Sequence, residues 1–338
     1  MKRKSIILRL TGLLIIAVMY IVSCKTYDAP NAGTNKNTDA PGDLKRVKLL
    51  IDWKAEPTYA GFYIAKEKGF YAKRGVDVEI VEGNGANTSA QIIGEGNSYF
   101  IGSCSGEATA IARSKGIPIR SLAVFYPNVP TVLYSRADTP IRRPEDMIGK
   151  RIGLITGSIS VDEYRGLIAA NNVDRSKIKE VDAGFDVAPL LSKQVDALMN
   201  YEELTPVELR LKGYDIVTMK FADFGIKAYS LNLIVNESKM QSEGDIVKAI
   251  TDATIEGYQF LRSNPDESAQ IFSKLYPEKD PNYVRDSMKV VAKLLGDGQI
   301  GQQTEQGWNN SINTLSSLGL LEKPVKVDDV IASQYLSK

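Results

Sequence analysis

Residues 49–82 of this chain read LLIDWKAEPTYAGFYIAKEKGFYAKRGVDVEIVE, and this stretch does most to restrict the fold. Leu49, Leu50 and Ile51 form a short apolar run that ends at Asp52 and Trp53. Pro57 opens a helical pattern in which Tyr59, Phe62, Tyr63 and Ile64 are apolar and Lys66, Glu67 and Lys68 are charged. Gly69 stops that helix, and from Val76 to Val81 apolar and acidic residues alternate, as in a strand with one buried face. The pattern predicts a strand–helix–strand unit with Asp52 and Trp53 at the carboxyl end of its first strand. In open α/β sheets ligands bind at that end.

The α/β pattern continues. Short helices are predicted over 89–94 and 108–114, and strands over 99–101, 119–126, 131–135 and 151–155. A helix follows to residue 170, and residues 229–235 form a strand that returns the chain to its first domain. From residue 239 the pattern is helical (246–262, 266–275, 282–294 and 305–318), broken at Asn264-Pro265 and Tyr276-Pro277. A last short helix is expected near 325–336. Residues 91–116 and 189–213 repeat weakly, each as helix, turn, apolar strand, polar loop, helix and glycine. Two related halves with a cleft between them produce such a repeat, and the loops at 103–105 and 200–202 then face each other across it. The expected division is a first lobe of residues 44–136 plus 235–338 and a second lobe of 137–234.

Composition excludes several functions. The 338 residues contain no histidine, which removes the commonest general base and metal ligand and every Ser-His or Cys-His triad. The two cysteines, Cys24 and Cys104, build no disulfide framework. No phosphate-binding loop, dinucleotide fingerprint or metal-ligand spacing is present, so neither cofactor nor metal is expected. Residues 1–23 have a basic start (Lys2, Arg3, Lys4), an apolar run over 6–22 and the ending Ile21-Val22-Ser23-Cys24. They read as a lipoprotein signal peptide with Cys24 as the lipidated residue, anchored to a membrane by its acyl chains. Without them 38 basic residues face 41 acidic ones, a balance that speaks against a nucleic-acid partner. Residues 24–43, rich in Asn, Thr, Pro, Gly and Asp, read as a flexible tether.

Three groups of residues carry candidate binding chemistry. Asp52 and Trp53 combine an acceptor with a stacking face, with Tyr59 at the same mouth. Asn200, Tyr201 and Glu202 offer hydrogen-bond groups on the opposing loop, although the neighbouring Glu203 competes with Glu202 for the inward position. Ser103, Cys104 and Ser105, with Gly157, Ser158 and Ser160, lie ahead of helices, where backbone N–H groups bind anions or simply cap. Tyr126 and Tyr229 are expected at the rim. Cys104 lacks an activating base and reads as a small pocket residue rather than a nucleophile.

The wording DW…P…GFYIAKEKGFYAKRGVDVEIVEG resembles the substrate-binding proteins of bacterial ABC importers for thiamine precursors, which share a fold with the thiamine-pyrimidine synthases. The AKEKGFYAKRGVDVEI portion is similar to sulfonate, nitrate and taurine receptors as well. Asp52-Trp53 together with Tyr201-Glu202 narrows the resemblance toward pyrimidine binders, and it covers about 47–321. It implies a two-lobed periplasmic-binding-protein type II fold and a monomeric extracytoplasmic receptor, periplasmic in a Gram-negative cell. The ligand implied is a thiamine-related pyrimidine stacked on Trp53 and bonded through Glu202, delivered to an ABC permease and its ATPase. A receptor for a small anion is the alternative. A synthase is disfavoured, because the resemblance implies that those enzymes depend on histidine and a cysteine-rich motif absent here. A lipoprotein that has lost transport remains a third reading.

Overall fold

A computed structural model describes residues 44–156 and 158–335. The predicted leader and tether, the lipidation site Cys24 and the candidate Gly157 lie outside the described residues. The strands are β1 (Lys45–Ile51), β2 (Val76–Glu82), β3 (Ile101–Cys104), β4 (Ile119–Val124), β5 (Thr131–Arg136), β6 (Arg151–Leu154), β7 (Lys179–Asp182), β8 (Ala197–Tyr201), β9 (Ile216–Lys220) and β10 (Asn232–Asn236). The helices are α1 (Ala60–Glu67), α2 (Ala86–Glu95), α3 (Gly106–Ser114), α4 (Ile159–Ala170), α5 (Ala188–Leu191), α6 (Thr205–Leu211), α7 (Glu237–Ser242), α8 (Gly244–Ser263), α9 (Pro265–Leu275), α10 (Pro281–Leu294) and α11 (Glu305–Ser317).

Two five-stranded mixed sheets result, in the orders β2-β1-β3-β10-β4 and β7-β6-β8-β5-β9. Each sheet with its helices is one lobe of an α/β fold. β1 pairs in parallel with β2 over its whole length and with β3 near its end, so Asp52 emerges beside the carboxyl end of β3. β10 runs antiparallel between β3 and β4. In the second sheet β5 is the antiparallel element, held by β8 and β9.

Two expectations change. β5 belongs to the second sheet, with Thr131 opposite Tyr201, and β10 lies wholly in the first. The sheets therefore exchange chain between Val124 and Thr131 and again between Lys220 and Asn232, not at residues 136 and 235. A strand such as β5, buried except at its last residue, carries no pattern that names its sheet. The tail forms short 3-10 turns at Val327–Asp329 and Ser333–Tyr335 and a bridge from Ile331 to Ser121 instead of the expected helix. Bonds to the sheet edge give those backbone groups their partners, with Ala332 N–H donating to Ser121 O at 2.7 Å.

α1 carries the chain away from Asp52 and Trp53, and α8 holds it in place. α8 buries Val247, Ile250, Ala253, Thr254, Tyr258 and Leu261 at helical spacing. Tyr258 stacks on Phe125 with ring centroids 4.2 Å apart and meets Phe62 edge-on at 5.5 Å. Its hydroxyl donates to Thr58 O at 3.0 Å. Gly61 and Gly257 face each other where the two helices touch, and a Cβ on Gly257 would collide with the carbonyl oxygen of Gly61. Gly257→Ala should therefore cost about 1–3 kcal/mol through overpacking, read as a lower denaturant midpoint in chemical unfolding.

Candidate functional site

The site begins where β1 ends. The Asp52 N–H donates to Ser103 Oγ at 2.9 Å, and the Ser103 hydroxyl donates back to Asp52 Oδ1. The Asp52 carbonyl accepts from Gly85 N–H at 2.7 Å, which ties the start of α2 to the same point. Gly85 has φ +127°, a conformation that side chains rarely adopt, and this lets α2 begin against the strand end. Burial pushes the Asp52 carboxyl above its ordinary range, opposed by its bonds to Ser103 and Tyr59.

A cleft of ≈ 350 Å³ opens beside Asp52. The first lobe lines it with Asp52, Trp53, Glu56 and Tyr59, Asn84 to Thr88 at the start of α2, and Ala108. The second lobe contributes Ile155, Thr156, Ser158 and Ser160 around the start of α4, Phe185 from the β7–α5 loop, and Met199, Asn200, Tyr201 and Leu204 around the end of β8. Trp53 (37% exposed) and Phe185 (67% exposed) meet across the mouth, with ring centroids 5.9 Å apart and planes inclined by 33°. The cleft therefore has a carboxyl-bearing wall and two partly exposed aromatic rings that could take a flat ligand. Glu56 is engaged by Lys279 Nζ at 2.9 Å and Tyr283 Oη at 3.2 Å.

Of the residues singled out in the sequence, Asp52, Trp53, Tyr59, Ser158, Ser160, Asn200 and Tyr201 line the cleft together. The Ser158 hydroxyl caps α4, accepting from Ser160 N–H at 3.2 Å, and Asn200 braces its own loop by donating to Thr205 Oγ1 at 2.7 Å. The others sit elsewhere. Ser103 supports Asp52 from behind, and Ser105 caps α3 by accepting from Ala108 N–H at 3.1 Å. Cys104 is buried against Ala86 O at 3.4 Å, and burial pushes its thiol well up, which is unlike a nucleophile. Tyr126 is core and Tyr229 packs edge-on to Trp308 at 5.5 Å, so neither is a rim residue. Glu202 forms an ion pair with Lys220 at 2.9 Å and is not in the cleft wall. Phe185, Glu56, the 84–88 turn, Ile155, Met199 and Leu204 were not foreseen. The one large aromatic in the loop sequence AGFDVAP was the available signal for Phe185.

Glu203, the neighbour of Glu202, is fully buried. Its Oε1 accepts from Thr58 Oγ1 at 2.8 Å and from Tyr126 Oη at 3.4 Å, both in the first lobe, while Oε2 has no partner. Burial pushes its carboxyl up to about 7, with the Glu202 charge adding to the rise. A carboxyl raised on folding contributes stability that is complete below its unfolded value and lost as pH climbs through the folded value. Relative to Glu203→Gln, the wild type should lose about 1.4 kcal/mol per pH unit between about pH 4.3 and 7 and nothing further above, measured as unfolding free energy against pH.

Among the described residues no group of three or more acidic or cysteine side chains could hold a metal ion. The fold and cleft define a class: a two-lobed α/β protein of the type II periplasmic-binding-protein kind, with a ligand-sized cleft between the lobes. The aliphatic sulphonate-binding protein SsuA from Escherichia coli shares this architecture, with a TM-score of 0.70 at 15% identity, covering 85% of this chain and 92% of that one. The family model described as NMT1/THI5 like matches residues 56–268, and the chain belongs to that family. It is 25% identical to the formylaminopyrimidine-binding protein of Halalkalibacterium halodurans over 95% of this chain and 97% of the relative. It is 24% identical to the riboflavin-binding protein RibY of Chloroflexus aurantiacus over 96% of each.

Proposed function

We propose that this protein is an extracytoplasmic solute receptor that holds a thiamine-related pyrimidine in the cleft between its lobes and delivers it to an ABC permease and its ATPase. The observation that carries the reading is the Asp52 carboxyl beside the Trp53 ring on one wall, with Phe185 opposite. An aminopyrimidine presents a flat ring and amino donors, which match a stacking face and an acceptor. The stack contributes about 0.5–1.5 kcal/mol beyond area burial, and a hydrogen bond to a charged group about 1.5–3 kcal/mol. The relatives that bind formylaminopyrimidine and riboflavin support a flat heteroaromatic ligand. A volume of ≈ 350 Å³ lies near the small end of ligand sites, roughly 300–1,000 Å³, and favours a single ring over a flavin. Asp52 and Glu56 in the wall disfavour a small anion. The lack of histidine and the buried Cys104 thiol support binding without catalysis.

In this reading the lobes close over the ligand about the two crossings at 125–130 and 221–231. The protein functions as a monomer tethered through acyl chains on Cys24. Metabolic labelling with a radioactive fatty acid should mark the wild-type protein and leave Cys24→Ser unmarked; equal labelling of both would remove the anchor from the proposal.

The cleft is tested by a thermal-shift screen of aminopyrimidines, thiamine, riboflavin, sulfonates and nitrate. A ligand at 100 times its Kd adds ~2.7 kcal/mol of stability, a clear shift. An aminopyrimidine should give it. Asp52→Asn should weaken that affinity about 10- to 100-fold and Trp53→Ala about tenfold, whereas Glu202→Gln should leave it within about threefold. A shift with riboflavin alone, or with anions alone, would retire the pyrimidine assignment.

A further inference from the structure

A second acidic feature lies apart from the cleft wall. Glu107 is in the first turn of α3, in the first lobe, and Glu163 is in α4, in the second. Each residue is 3% exposed, and none of the four carboxyl oxygens completes a hydrogen bond to a protein donor. The two carboxyls face one another across the seam, with the Ser105 hydroxyl near Glu107 and the Thr131 hydroxyl near Glu163.

Among the described residues, no basic side chain lines the space beside the pair. Asp162 lines the same ≈ 10 Å³ space beside the pair and is engaged by Arg165 at 3.3 Å. Tyr201, from the end of β8, and Cys104, from β3, are the other titratable groups turned toward the pair, and each is neutral when protonated. α11 faces it with Ser311, Thr314 and Leu315, followed by Leu318 just past its end, and the second crossing with Ile226 and Ala228, none of which titrates. Burial pushes both carboxyls up, and the Glu107 charge raises Glu163 further.

Ionised carboxylates only accept hydrogen bonds, so two of them face to face lack a donor and repel in a low-dielectric seam. A single proton cures both faults, because a protonated carboxyl donates to its ionised neighbour. We propose that the lobe seam is a proton-binding site, in which Glu107 and Glu163 share one proton while the lobes meet and release it to water when they part. The pair lies where a hinge would act: Thr131 is the first residue after one crossing, and Ile226 and Ala228 belong to the other. Parting α3 from α4 lets water reach each carboxyl, which then ionises near its ordinary value of about 4.3. Where the closed pair holds one proton and the parted carboxyls hold none, closing takes up that proton. The opening equilibrium constant therefore rises up to tenfold per pH unit in that window and flattens once the closed pair has also ionised. Low pH favours the closed form and neutral pH loosens it. The assignment concerns the protein without ligand and stands whatever the cleft binds.

The test is small-angle X-ray scattering of the ligand-free protein from about pH 5 to about pH 8, where the linkage acts. The wild-type radius of gyration should grow with pH. In Glu107→Gln/Glu163→Gln that growth should shrink to the share left by Glu203, and in Glu203→Gln the growth due to the pair should persist. Circular dichroism checks that the variants fold. If the double variant does not, Glu107→Gln alone serves, since its amide donates to Glu163 without needing a proton. A wild-type radius independent of pH, or a double variant that tracks the wild type, overturns the proposal. So does a radius that follows added calcium at fixed pH, which would put a cation where the proton is assigned.

Discussion

The antiparallel insertion of β10 between β3 and β4 governs the architecture. The chain lays down β1 to β4, leaves to build the whole second sheet, and returns to fill the gap between two strands made more than a hundred residues earlier. Until β10 arrives, β3 and β4 have unpaired facing edges, and buried backbone groups left without partners are costly. The return forces two crossings between the lobes. It also leaves the helices from α7 onward to coat the first lobe. The two crossings, the cleft and the coat all follow from where that strand must pair.

The cleft wall depends on how firmly β1 is terminated. Asp52 is held by exchange of bonds with Ser103 and by the Gly85 N–H on its carbonyl. The segment that follows is held by α8 through two glycines in close contact and through Tyr258, which reaches Thr58, Phe62 and Phe125 together. A carboxyl and an indole are thus presented to the opposite lobe by elements with little freedom to shift. Between the lobes the contacts are more polar. Glu203 reaches Thr58 and Tyr126, and Glu107 meets Glu163. Polar groups leave water at a smaller net gain than apolar ones, which suits the lobe opening proposed above.

Much of the fold was legible in local pattern. The unit from β1 to β2 and the helical coat follow from periodicity and glycine stops. Asp52, Trp53 and Tyr201 could be placed at strand ends and so at the cleft, with Tyr59 at the same mouth. The lobe boundary was less legible because β5 is buried in one sheet much as it could be in another. Glu202 and Glu203 show the limit more sharply. Adjacent residues of identical chemistry part ways, one to an exposed lysine and one to a sealed interior, and only the backbone direction after β8 separates them.

By itself the sequence determined that this chain is a two-lobed α/β protein, that histidine chemistry is closed to it, and that Asp52 and Trp53 stand where a sheet presents ligands. These follow from composition and from repeats of two and 3.6 residues, which are local properties. Tertiary structure alone decided that Phe185 meets Trp53, that Ser103 and Cys104 serve behind the wall instead of in it, and that Glu107 and Glu163, 56 positions apart in the chain, share a buried seam. Contacts between distant segments depend on strand order and crossing points. No window of neighbouring residues encodes those, because they are set by which edges remain unpaired once each sheet has formed.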